Sequence, residues 1–121
     1  MNPPVGLACT PEPPYYAVIF TSTRTDGDRG YAEMAQRMVE LGSNYDGFLG
    51  FETARGADGL GISVSYWRDE ASIHAWKKDS VHRQAQQAGK NVWYADYQVR
   101  IAKVERAYGK NPVRDTKLDT K

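Results

Sequence analysis

Seven side chains in this sequence are of types that together could take a proton from a small organic molecule and hold the resulting anion: Tyr66, Trp67, Trp76, His82, Gln86, Trp93 and Arg100. An unperturbed imidazole titrates near neutrality, so His82 is the natural general base. The three tryptophans and Tyr66 supply flat walls for an apolar pocket, and Gln86 or Arg100 supplies N–H donors for a developing oxyanion. Each also has a plainer reading. Large rings dominate packing, so Trp67 and Trp93 serve equally as core anchors. Trp76 is open between wall and core, His82 between base and surface or capping residue, and Arg100 between oxyanion donor and interface ion-pair partner. His74 falls on the outer side of its short helix.

The rest of the composition excludes much. With 16 Lys+Arg against 15 Asp+Glu the formal net charge is +1, too little to steer the chain to nucleic acid or an anionic membrane surface. No apolar run approaches the roughly 18–20 residues of a membrane span. The single cysteine, Cys9, can form neither an internal disulfide nor a cysteine-based zinc site. No Ser/His/Asp order, phosphate-binding loop or metal-ligand cluster is present, which argues against hydrolase and nucleotide chemistry. The start lacks the basic and apolar regions of a signal peptide, so a cytoplasmic location is expected.

The elements that must position these residues follow from periodicity. Residues 1–14 hold five of the six prolines and read as an extended arm outside any sheet ladder. A strand over Tyr15–Thr23 is apolar on both faces, with Tyr16, Val18 and Phe20 on one and Tyr15, Ala17 and Ile19 on the other. Asp26 or Asp28 caps a helix over Gly30–Leu41, whose Tyr31, Met34, Met38 and Leu41 share a face and which Gly42 stops as a left-handed cap. Strands over Phe48–Arg55 and Leu60–Trp67 flank a hairpin turn. The second of them has Leu60, Ile62, Val64 and Tyr66 on one face. Its other face, Gly61, Ser63, Ser65 and Trp67, is small and polar enough to border a cavity. A helix over Ala71–Lys78, broken at Asp79-Ser80, continues over Val81–Ala88. A long last strand, Tyr97–Tyr108, shifts its apolar parity at Ala102, as a bulge or a change of neighbour would cause. Residues 110–121 read as a polar tail, leaving one domain over 15–109.

The order strand–helix–strand–strand–helix–strand is the α+β, ferredoxin-like split βαβ pattern with an antiparallel sheet. Its helices cover one sheet face. The doubly apolar first strand and the long last one predict that a second copy covers the other, as a homodimer.

The run Ser65-Tyr66-Trp67-Arg68-Asp69-Glu70-Ala71-Ser72-Ile73 with Ala75-Trp76-Lys77 resembles the antibiotic biosynthesis monooxygenase family. The likeness continues through His82, Ala85-Gln86, Gly89, Trp93-Tyr94 and Tyr97–Tyr108, and Gly47-Phe48-Leu49-Gly50 matches the family's second strand. The resemblance implies a dimeric α+β barrel. It also implies oxidation of a small aromatic or polyketide-like molecule by oxygen without a bound cofactor, with His82 as base, Trp67 and Trp76 as walls, and Arg100 or Gln86 as oxyanion donor. A haem-degrading branch of the family is similar at Trp76. Its first-strand Asn falls in Phe20–Thr23 here, and its iron-ligating His falls on Gln86, an amide and a poor iron ligand. His82, one turn earlier, would serve only on a rotated helix, so haem is the lesser alternative. The second reading, ahead of haem degradation, is a non-catalytic dimeric binder or sensor of a small hydrophobic ligand.

Overall fold

A computed structural model describes residues 6–110. The first strand, β1 (Tyr15–Arg24), leads through a turn to helix α1 (Tyr31–Gly42). A hairpin of β2 (Phe48–Arg55) and β3 (Leu60–Trp67) follows, then helices α2 (Glu70–Lys78) and α3 (Ser80–Ala88). A single wide π turn, Gly89–Trp93, leads into β4 (Tyr94–Val104). The strands form one antiparallel sheet in the order β2-β3-β1-β4, the ferredoxin-like arrangement expected from the pattern.

Local chemistry sets the boundaries. The Asp28 carboxylate accepts from the amides of Gly30 and Ala32 and so caps α1. Asp69, in extended conformation, accepts from the Ser72 amide and hydroxyl at 2.8 and 2.7 Å and caps α2. Asp79 takes φ −58°, ψ 131°, which ends α2, while its carboxylate accepts from the His82 amide at 3.1 Å in the first turn of α3.

The register decides which face is which. Tyr16 lies opposite Trp67 and Ser22 opposite Gly61, so Tyr16, Val18, Phe20 and Ser22 share a face with Trp67, Ser65, Ser63 and Gly61. Trp67 stacks on Trp76 of α2, so this is the helix-covered face. The other face carries Tyr15, Ala17, Ile19, Leu60, Ile62, Val64 and Tyr66. Buried apolar side chains are few: Trp67 at 1% exposure, with Tyr15, Ala17, Ile73 and Trp93. The helix-face side chains Val18, Phe20, Ser63 and Ser65 are only half-buried, as the small polar stripe of β3 anticipates for the wall of a cleft.

Three expectations need correction. The last strand stops at Val104, and its ladder spans β1 end to end, from Tyr15 opposite Val104 to Arg24 opposite Tyr94, without overhang. The irregularity falls between Thr23 and Arg24, not at Ala102. Ala102 and Val104 pair with the buried Ala17 and Tyr15, so the apolar parity changes because the opposite face is covered there, and no residue is inserted. Gly42 is not a left-handed cap. It lies inside the last turn of α1, the following Ser43 is right-handed, and a Cβ on Gly42 would sit 3.5 Å from the Trp76 ring.

That contrast is testable by melting temperature. Gly42→Ala meets only ordinary contact in helical backbone and is expected to be neutral or to stabilise by up to about 1 kcal/mol. A left-handed cap would instead lose stability. Gly47→Ala should cost more than about 2 kcal/mol, because Gly47 has φ +89° and a Cβ there would collide with the Ser72 hydroxyl.

Candidate functional site

Five aromatic rings gather where β3 ends and the two later helices meet. Phe48 lies edge-on to Trp67 at 5.4 Å between centroids, and Trp67 stacks on Trp76 at 6.2 Å. The His82 imidazole stacks on the other part of Trp76 at 4.2 Å and 15°. Tyr45 closes the side, edge-on to Trp76 at 5.0 Å, and its hydroxyl donates a short hydrogen bond to Asp79. That bond to the carboxylate holds the Tyr45 phenol above its ordinary range.

His82 Nδ1 lies 3.0 Å from the Trp76 carbonyl oxygen. A carbonyl only accepts, so the proton of the neutral ring belongs on Nδ1 and the lone pair on Nε2. Burial lowers the pKa of His82 below 6.5, outweighing the opposing pulls of the Trp76 carbonyl and Asp79. The imidazole is therefore neutral near pH 7, in the tautomer a general base requires.

The other candidates are scattered. Gln86 is exposed, one turn further along α3. Trp93 is buried on the same side of the sheet but at its far end. There its indole donates to the Arg29 carbonyl at 3.0 Å and meets Tyr31 edge-on. Tyr66 and Arg100 face away from His82. Tyr66 donates to Glu52 at 2.7 Å and packs against Tyr15, while Arg100 pairs with Ile19 on the open face and is exposed. Neither can touch a molecule held between sheet and helices. The reason is parity, since each occupies the strand position opposite to the helix-facing set.

Tyr45 and Asp79 belong to the site although no motif marks them. Asp79 is visible in the sequence only as a helix break. Among the described residues, no group of three or more His, Cys, Asp or Glu side chains is placed to hold a metal ion. No helix among them is long and apolar enough to cross a membrane. A shallow depression lined by Arg37, Glu40, Leu41 and Asn44 contains none of the candidate residues.

A family model described as antibiotic biosynthesis monooxygenase matches residues 14–88. The chain belongs to that family. It is 52% identical over 100 residues to the uncharacterized protein YqjZ of Bacillus subtilis, covering 83% of this chain and 88% of that one. It is 31% identical over 104 residues to jasmonate monooxygenase ABM of Pyricularia oryzae, covering 82% of this chain but 47% of that longer protein. In three dimensions it is similar to a mutant form of SnoaB, a cofactor-independent oxygenase of Streptomyces nogalater. The TM-score is 0.67 and the identity 9%, over 77% of this chain and 95% of that one, a likeness of fold.

The depressed pKa of His82 has a stability consequence. Between the folded pKa and 6.5 the unfolded chain binds more protons than the native one, so native stability is full above about pH 6.5 and declines as pH falls through that window. Imidazole NMR titration should place the His82 midpoint below 6.5. His82→Gln should flatten the decline of stability with acid. A His82 midpoint at or above 6.5 would contradict the burial seen here.

Proposed function

We propose that this family member is a monooxygenase that uses O2 on a small aromatic or polyketide-like substrate, bound between the sheet and the helices without a tightly held cofactor. The observation that carries this reading is the anchoring of His82 by the Trp76 carbonyl and indole, which leaves Nε2 as a basic lone pair beside two stacked tryptophans. His82 takes the proton of a phenol or an acidic C–H. The electron-rich anion then reacts with O2 in a pocket walled by Trp76, with the buried Trp67 stacked behind it as its support. For a methylene flanked by aromatic rings the balance closes without another reductant: one oxygen atom becomes the new carbonyl, and the other leaves as water with the two methylene hydrogens. Gln86, one turn along α3, is the side chain assigned to donate to the oxyanion. The names of SnoaB and of the Pyricularia oryzae relative describe oxygenases, which supports the reaction class.

The reading includes a homodimer. Leu60 and Ile62 on the open face are 47% and 46% exposed, more apolar surface than a lone sheet keeps at low cost. Light scattering should give twice the mass of one chain at micromolar concentration.

Oxygen uptake with 1,8-dihydroxyanthrone as probe tests the chemistry. Wild-type protein should accelerate uptake over the protein-free rate, and His82→Gln should lower that acceleration by roughly 10²–10⁴-fold while the fold is kept. Unchanged uptake in the variant sinks the mechanism and favours a binding protein. Titration with haemin should leave the Soret band unshifted, whereas a stoichiometric shift would bring back the haem alternative.

A further inference from the structure

At the far end of the helix-covered face lie two guanidinium groups that the proposed reaction does not use. Arg24 donates from Nε to the Trp93 carbonyl at 2.9 Å and from Nη2 to the carbonyls of Gly27 and Asp28 at 2.9 and 3.5 Å. Its Cζ stands 3.8 Å over the Tyr31 ring. Arg55 donates from Nη2 to Ser22 Oγ at 2.6 Å and from Nη1 to the carbonyls of Ser22 and Gly59. Its Cζ lies 5.9 Å from the Tyr31 ring and 6.0 Å from the Tyr94 ring. A Cβ on Gly61 would fall 2.5 Å from that Cζ, so the guanidinium occupies the space of the side chain Gly61 lacks, flat on the sheet. The Tyr94 hydroxyl donates to that of Tyr31 at 3.3 Å, which leaves the Tyr31 proton to donate elsewhere.

Among the described residues every partner of the two arginines is neutral. Among the described residues the ion pairs of Arg68 with Asp46 and Asp69 involve neither of them, and the nearby Asp28 carboxylate is engaged by the amides of α1. Two half-buried positive charges gathered around the Tyr31 ring and bonded to carbonyls and a hydroxyl are a costly arrangement until an anion joins them. Arg24 Nη1 and Arg55 Nε make none of these bonds and stay available to one. The floor running up to them is apolar, with Phe20 5.1 Å from Tyr94 and 5.6 Å from Tyr97 between ring centroids.

The position relates this end to His82. Ser22 opposite Gly61 is six residues along β1 from Tyr16 opposite Trp67, roughly 20 Å at about 3.3 Å per residue. Helix α1 spans the same interval, with Tyr31 over the arginines and Gly42 against Trp76.

We propose that the substrate is a carboxylate-bearing hydrophobic molecule whose carboxylate lies between Arg24 and Arg55 while its body extends along the face toward Trp67 and His82. This rests on the reading of that face as the substrate site and names the class of substrate. Arg24 Nη1 and Arg55 Nε would each donate to one carboxylate oxygen, and the aromatic floor of Phe20, Tyr94 and Tyr97 offers no partner to a second charge.

Anthracene-2-carboxylate and its neutral carboxamide, titrated by fluorescence into the full chain at pH 7.5 and low salt, separate the two ideas. The acid should bind at least tenfold more tightly than the amide, and raising salt should erode the difference. In Arg24→Gln the acid should fall to the amide's affinity. Arg55→Gln should do the same; each variant also loses bonds within the fold, so both are checked for an unchanged melting transition and the wild-type acid–amide comparison carries the test. Equal affinities in the wild type, or a preference that survives Arg24→Gln, overturn the carboxylate while leaving the oxygenase reading intact. Binding of neither probe overturns both.

Discussion

Trp76 is the residue on which the arrangement of this molecule turns. Its indole is in contact with Gly42 at the end of α1, edge-on to Tyr45, stacked on Trp67 of β3 and stacked under His82 of α3, while its carbonyl engages His82 Nδ1. One side chain thus ties three helices to the sheet. The bend at Asp79 makes this possible: a continuous helix would carry position 82 away from the Trp76 ring, whereas a break with a new cap returns the chain over it. The carboxylate that caps α3 also binds Tyr45, so the same group fixes the helix direction and the side wall. Orienting the imidazole and folding this corner are one event.

The helix-covered face changes character along its length. At the Trp67 end it is aromatic and holds a neutral base. Through Ser65 and Ser63 it is small and half-buried. At the Gly61 end it is aromatic again but positively charged. Small residues on β3 are required at both stations for different reasons. The Ser65 hydroxyl accepts from the Trp67 indole at 2.9 Å, and Gly61 leaves room for the Arg55 guanidinium. A larger residue at either place would fill the floor and orphan a polar group.

Much of this was legible in the sequence, and the failures have definite causes. The strands over Phe48–Arg55 and Leu60–Trp67 stand where alternation and the turn put them, since a period of two read against a polar loop leaves little freedom. Trp67, Trp76 and His82 come together as the candidate list required. Tyr66 and Arg100 do not join them, because alternation tells which residues share a face but not which face the helices cover; β1 is apolar on both. Only the pairing of Tyr16 with Trp67 settles that. Gly42 reads as a cap because glycine after a helix usually is one, whereas here its missing side chain admits an indole from a segment more than thirty residues away. Arg24 and Arg55 flank turns, and nothing local says that two distant turns bring them to the same pair of phenols.

The open face poses the remaining physical problem, and the arm before β1 answers part of it. The Ala8 amide donates to Glu52 at 2.9 Å, Tyr66 donates to the other oxygen of the same carboxylate, and Thr10 bonds the Tyr15 hydroxyl at 3.0 Å. A Cβ on Gly50 would lie 2.8 Å from that of Ala8, so β2 is bare where the arm crosses it. These contacts bury Tyr15 and satisfy the Glu52 carboxylate, and burial together with Glu52 keeps the Tyr66 phenol protonated. They protect one corner only. Leu60 and Ile62, at the other end of β3, stay exposed. In the proposed homodimer, a second sheet packing face to face would have to seat on the Leu60–Ile62 end and accommodate the arm at the Tyr15–Tyr66 end, so the arm would help to set how the two copies are offset.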